Sequence, residues 1–183
     1  MKIIETQRLI LDKWNVRRDA KALFEYAQNP NVGPNAGWAP HESIKESKLR
    51  IKKLFIPGNI RRITIKGEGV AIGSIGFEED KRRVDVRSLE LGYSLSEKYW
   101  GQGIMTEAGL AVIKYTFENT DVEVISITTA PKNERSKKVI EKLGFKYEGC
   151  LRHSYRIYDG RVRDTLVYSM MRQEWEEWEK ERR

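Results

Sequence analysis

Apolar positions recur along this chain with two periods, and the order in which those periods follow one another predicts the elements. Arg8 to Trp14 reads as a first strand. After Asp19, a residue type suited to an N-cap, Ala20, Leu23, Phe24 and Ala27 fall at i, i+3, i+4 and i+7, the spacing of an amphipathic helix. Asn29-Pro30 ends it. The stretch from Pro30 to Pro40, with three Pro, two Gly and two Asn, predicts a long loop with Trp38 as its apolar tip. Ser43 caps a second helical pattern whose face is Ile44, Ile51, Leu54 and Phe55, closed by Pro57-Gly58.

Three runs of strand character follow, Ile60 to Lys66, Val70 to Phe77 and Ser88 to Leu95, and Gly67-Glu68-Gly69 joins the first two as a hairpin. In the third run Leu89, Leu91, Tyr93 and Leu95 alternate with Ser88, Glu90, Gly92 and Ser94, so Glu90 stands alone as the charge on a polar face. Beyond Gly101-Gln102-Gly103, Ile104, Ala108, Ala111, Val112 and Tyr115 recur at helical spacing, and Val122 to Thr129 is again strand-like. A strand, a glycine turn, a helix and a strand in that order are long enough for a parallel crossover. Asn133 to Leu143 reads as a helix stopped at Gly144. Tyr147 to Tyr158 and Arg161 to Met170 flank Asp159-Gly160, a strong hairpin signal. Gln173 to Lys180 closes the chain as a short helix whose Trp175 and Trp178 pack on the body or face a partner.

Composition narrows the class. A chain of 183 residues with 39% hydrophobic, 33% charged and 10% aromatic residues suits one globular domain over 1–183 and excludes a disordered or disulfide-dense chain. One cysteine, Cys150, forms no internal disulfide, and Met1-Lys2-Ile3-Ile4-Glu5 lacks the apolar region of a secretory signal, so a reducing, cytoplasmic location is expected. No apolar run approaches the roughly 20 residues that span a bilayer. His41 and His153 with one Cys are a poor inventory for zinc, and no metal is expected. The net charge of +7 suits a phosphorylated cofactor, nucleic acid or an acidic partner equally.

The chemistry concentrates in Lys98-Tyr99-Trp100-Gly101-Gln102-Gly103-Ile104-Met105-Thr106-Glu107-Ala108. Glycines let the backbone approach a ligand, successive N–H groups converge, and the following helix start adds partial positive charge suited to a pyrophosphate. Residue types exclude two nucleotide sites. Ile104-Met105 stand where a Walker loop needs Lys and Ser or Thr, and Thr106 stands where a dinucleotide fold needs a third small residue. Asp121 has the spacing of the ribose-binding acid but precedes its strand.

With this turn the chain resembles the GNAT superfamily of N-acetyltransferases. Their signature is Gln or Arg, two residues, Gly, any residue, then Gly or Ala, read here as Lys98-Tyr99-Trp100-Gly101-Gln102-Gly103 with Lys as a cationic departure. Asn133, Ser136 and Leu143-Gly144-Phe145 fall where the family places its Asn motif and the Gly-Phe after the next helix. Glu5 to Leu11, Trp100 to Ala108 and the Asp159 to Asp164 hairpin resemble more narrowly the RimJ/RimL branch, which acetylates N-terminal amines of ribosomal proteins. The resemblance implies a mixed α+β fold: a mostly antiparallel twisted sheet of about seven strands flanked by helices, with a splayed parallel pair holding acetyl-CoA. It implies that pantetheine pairs with backbone near Tyr93 and Leu95 and is positioned by Asn133. The pyrophosphate would sit on Lys98, Trp100, Gly101, Gln102, Gly103 and Ile104, with Lys137 or Lys138 meeting phosphates.

Direct transfer to an amine needs a base, and Glu90, on the strand lining the thioester, is the candidate. The leaving thiolate needs a donor. Many members use a Tyr seven residues after the motif Asn, which is Ile140 here, whereas Ser136 stands where the branch has a Ser able to bond the sulfur. Cys150 reads as a packing residue, and His153, Tyr155, Tyr158, Asp164 and the Trp38 loop are expected around the acceptor. The expected acceptor is a protein N-terminus, as on a ribosomal protein. A polyamine, amino acid or antibiotic is the alternative, and a homodimer through edge strands or the Trp-bearing tail is open. A rival of another class, a basic nucleic-acid or ribosome-binding module, rests on Arg61-Arg62, Lys81-Arg82-Arg83 and Arg161 to Arg163. Scattered acids and the absence of an RNA-binding signature count against it.

Overall fold

The computed structural model of the chain describes residues 1–181. Eight strands form one sheet: β1 (Ile4–Glu5), β2 (Leu9–Lys13), β3 (Arg61–Ile65), β4 (Ala71–Glu79), β5 (Ser88–Leu95), β6 (Val124–Thr129), β7 (Lys146–Arg156) and β8 (Val162–Met171), in the order β1-β2-β3-β4-β5-β6-β8-β7. The extra strand over the expected seven is the two-residue β1, whose Ile4 and Glu5 pair with Leu11 and Ile10. All neighbours are antiparallel except β5 and β6. Those two pair only at Ser88 with Val124, Leu89 with Ile125 and Glu90 with Ser126, although both run on, so the sheet opens between them. Helix α4 (Ile104–Asn119) makes the crossover that the parallel pair requires.

Two apolar clusters hold the helices. On one face Leu9, Ile63, Ile75, Leu91, Ile125 and Ile127 pack with α4 and with α5 (Glu134–Lys142), each fully buried aliphatic side chain contributing roughly 1.5–3 kcal/mol. On the other face Trp14, Leu23, Tyr26 and Ile51 pack α1 (Val16–Ala27) and the segment after α3 (Ile44–Arg50) against the N-terminal half of the sheet.

Several local expectations need correction. Asn15, not Asp19, caps α1, accepting from Arg17 N and Arg18 N at 3.0 Å. Asp19 is buried in the first turn, accepting from Asn15 N at 2.6 Å and pairing with Arg62 at 3.2 Å, so its charge joins α1 to β3. The loop from Pro30 to Pro40 carries a single helical turn, α2 (Gly33–Ala36). Ser43 caps α3 as expected, but the helix widens into a π turn over Ile51–Phe55, so Ile51 turns inward while Ile44 and Leu54 face solvent. Strand β6 starts two residues later than the Val122 expected. Cys150 is exposed on the edge strand β7 and packs nothing into the core. The closing helix α6 (Arg172–Glu181) lies on the body, with Trp175 buried against Phe117 at 5.4 Å between ring centroids. No helix among the described residues is long and apolar enough to cross a membrane.

Candidate active site

The strand-to-helix connection after β5 begins with a 3₁₀ turn, Glu97–Tyr99, and Trp100 Nε1 ties it back to the Leu95 carbonyl at 2.9 Å. Gly101 and Gly103 both sit at φ +75°, a conformation that favours glycine, and nothing lies within 4 Å of where a Cβ on Gly101 would stand. That open backbone precedes the N-terminus of a 16-residue helix that has no side-chain cap, and the field of such a helix start favours an anion there. Arg8 buttresses the turn from β2's approach: its Nη1 donates to Gln102 O at 3.1 Å and its Nε to Glu107 at 2.6 Å. Glu107 also accepts from Arg8 N and Thr6, which explains why the chain's opening residues form part of the recognisable pattern.

A cleft of about 230 Å³ runs from this turn along the end of β5 that extends beyond its pairing with β6, towards α5. Tyr93, Leu95, Trp100, Gly101, Gly103, Ile104, Asn133 and Ser136, all expected at the cofactor, line it. Lys98 and Gln102 do not; Gln102 bonds the Lys98 carbonyl at 2.9 Å and braces the turn from outside. Lys138 lines the cleft whereas Lys137 is paired with Glu134. The sequence reading missed Arg135, which also lines the cleft and stacks its guanidinium over Trp100 at 4.1 Å. Its neighbours in the motif, Asn133 and Ser136, were the available signal.

Asn133 caps α5, its side chain accepting from Ser136 N at 3.2 Å, and this fixes Ser136 on the first turn facing β5. There the Ser136 hydroxyl meets the Tyr93 hydroxyl at 2.9 Å. Burial pushes Tyr93 up to about 12, against the pull of that hydrogen bond, so the phenol stays neutral and, with one hydroxyl donating to the other, the pair keeps one proton to donate. Ile140 is fully buried in the core and brings no group to the cleft.

The opposite wall comes from the loop after α1, through Asn31, Val32, Asn35 and Ala36. Glu97 anchors one end of that loop by accepting from Asn29 at 2.6 Å and Asn31 at 3.1 Å, bonds that hold its carboxyl below the ordinary value. The β7–β8 hairpin anchors the other: Tyr158 N donates to Gly37 O and Arg163 to Asn35 O, each at 3.1 Å, and a Cβ on Gly37 would fall 2.3 Å from the Tyr155 ring. Trp38 is half-buried beneath the loop, 5.4 Å from His41 between ring centroids, instead of standing out as a tip. His153 and Asp164 are engaged with each other in a β-bulge, His153 N donating to Asp164 at 2.8 Å.

Glu90 ends the parallel pairing, at the point where the strands part, and does not itself line the cleft. Its carboxylate accepts from Arg82 at 2.9 Å and Thr128 at 2.6 Å. Arg83 is paired with Asp80 and Glu148, Arg62 with Asp12 and Asp19, and Arg161 with Asp159. The cations on which a nucleic-acid face would rest are therefore largely matched within the protein. Among the described residues no cluster of three potential metal ligands occurs.

A family model described as an acetyltransferase (GNAT) domain matches residues 8–146. Over 178 residues the chain is 32% identical to the uncharacterized N-acetyltransferase YoaA of Bacillus subtilis, covering 93% of this chain and 97% of that protein. It is 34% identical over 85 residues to the ribosomal protein uS5-alanine N-acetyltransferase of Escherichia coli, covering 46% of this chain and 43% of that one. Among solved structures, the ribosomal-protein-S5-alanine acetyltransferase of Vibrio fischeri superposes with a TM-score of 0.76 at 25% identity, covering 96% of this chain and 99% of that one.

Proposed function

From the premise that the chain belongs to the GNAT family and is an acetyl-CoA-dependent N-acetyltransferase, we propose that its acceptor is the α-amine of a protein N-terminus. The observation that carries this reading is the state of the acids beside the splay. Asp80, Glu90 and Glu148 are each already matched by Arg82 or Arg83, so this side lacks the unneutralised acidic pocket a polyamine calls for. The neighbouring β7 is instead an exposed sheet edge, which offers backbone partners to an extended peptide. The ribosomal-protein acetyltransferases among the relatives agree with a peptide acceptor.

In this reading acetyl-CoA supplies a thioester as acyl donor. The open glycine turn and the cationic Arg135 and Lys138 fit its phosphates, and the gap beside Tyr93 and Leu95 fits the pantetheine. Holding amine and thioester in line is worth roughly 7–11 kcal/mol of barrier. Glu90, directly or through water, takes the proton from the amine, and Ser136, bonded to the neutral Tyr93, donates to the departing sulfur. The chain acts as one domain over 1–183, since β8 lies inside the sheet beside β6 instead of forming a separate unit. An exposed, unpaired Cys150 suits a reducing compartment such as the cytoplasm.

Mass spectrometry after incubation with acetyl-CoA tests the acceptor. A peptide with a free N-terminal alanine gains one acetyl group on its α-amine, and the same peptide blocked at that amine does not. Turnover of spermidine with none of the peptide would overturn the reading in favour of a small-molecule acceptor.

A further inference from the structure

The excursion between β4 and β5, residues 80–87, folds back over the polar face of the sheet, and its Arg82 makes three contacts there with one nitrogen. That Nη2 stands 2.9 Å from Glu90 Oε2, 3.0 Å from Ser126 Oγ and 2.9 Å from Asp80 Oδ1. Thr128 Oγ1 donates to the other oxygen of Glu90. The charged groups brought towards Glu90 are Glu78, directly opposite it in the β4–β5 register, and Asp80 and Arg82 from the excursion; β6 contributes only the hydroxyls of Ser126 and Thr128. Arg83 pairs with the other oxygen of Asp80, so two cations stand among these three acids, and of the two Arg82 is the one that touches Glu90. Like charges opposite one another in a sheet repel, and a cation seated between them offsets that repulsion.

We infer that Arg82 is a positioning residue for the transfer, fixing the Glu90 carboxylate where the strands part so that it faces the proton of the acceptor amine. The inference rests on Glu90 being the base. A carboxylate offers about four lone-pair sites, so the bonds from Arg82 and Thr128 leave room for the incoming N–H or for a relaying water. The proton balance is simple: an N–H bond of the ammonium breaks, its electron pair stays on nitrogen for attack, and the proton bonds to Glu90. Arg82 loses no proton and gains none. The excursion has a second anchor, because the buried Asp80 also pairs with Arg83 at 3.3 Å and Arg83 with Glu148 at 2.6 Å. Replacing Arg82 therefore removes the partner of Glu90 without releasing the segment.

The test is kcat and KM for acetyl transfer to the N-terminal-alanine peptide and to spermidine, comparing wild type, Arg82→Gln, Arg82→Lys and Glu90→Gln. Arg82→Gln is expected to lower kcat on the order of tenfold. KM for acetyl-CoA stays unchanged, since Arg82 is not among the cleft-lining residues. Arg82→Lys restores part of kcat, and it carries the test alone if the Gln variant does not fold. A kcat equal to the wild type in both Arg82 variants, or an effect confined to KM, overturns the inference. If Glu90→Gln lowers kcat and the Arg82 variants do not, the inference fails alone. If Glu90→Gln leaves kcat unchanged, Glu90 is not the base and both fall. Turnover of neither amine by the wild type also overturns both.

Discussion

The two sides of the gap between β5 and β6 are assembled differently. The cleft proposed for the cofactor is nearly contiguous in sequence: Tyr93 to Thr106 and Asn133 to Lys142 supply most of it, facing the loop after α1, with α4 and α5 fixing both by their own first turns. The side proposed for the acceptor draws on separated segments, the excursion 80–87, β6 and the β7–β8 hairpin that also ties the loop after α1, and holds them by ion pairs and single hydrogen bonds. A phosphate seat made of backbone amides needs only local geometry, so it travels as a motif. A proton-transfer site needs charges balanced across the sheet, and any one residue of it looks ordinary in the sequence.

Substitutions that act on one side alone sharpen this contrast, and those that leak across break it. The largest effect is expected for Glu90→Gln, a loss of about 100-fold in kcat with acetyl-CoA affinity unchanged, read by steady-state kinetics beside calorimetry. A matching loss of acetyl-CoA affinity would join the two sides into one. At the seam between them, Ser136→Ala removes a hydroxyl bonded to Tyr93 and is expected to lower kcat roughly fivefold, about the value of one hydrogen bond. On the cofactor side alone, Arg135→Ala loses its stack on Trp100 and weakens acetyl-CoA binding roughly threefold, with kcat retained.

The smallest effect concerns the support behind the acceptor loop. Burial lowers the pKa of His41, which bonds Ser47 at 2.7 Å, below its ordinary 6.5. Between that value and 6.5 the unfolded chain binds the proton more readily than the folded one, so stability rises with pH through the window and is fully present above 6.5. Melting temperature should thus fall on acidification below 6.5, and His41→Gln should flatten that dependence.

The same contrast explains what could be read from residues alone. Alternation along β5 and helical spacing after Gly103 are local signals, and they located the parallel crossover and the turn that precedes it. Asn133 and Ser136 were legible through the resemblance to the family's Asn motif, and the cap that Asn133 makes on α5 puts them one turn apart on the cleft side. Arg82 was legible only as part of a basic run, because Glu90 and Ser126, the partners that tie it to the sheet, lie 8 and 44 residues away. Leu54 pointed the wrong way in the sequence reading because a π turn shifts the helical phase after Arg50, and no residue in that run announces it. Cys150 lies on an edge strand, and edge position is a property of the whole sheet order.

Isothermal titration of acetyl-CoA into wild type and a Gly101→Glu/Gly103→Glu variant, after its melt shows it folded, decides whether the glycine turn is the seat of acetyl-CoA. Two carboxylates at this anion site should weaken binding by about 100-fold or more, about 3 kcal/mol, relative to saturable wild-type binding. Equal affinity in the folded variant, or no binding by the wild type, would contradict the account.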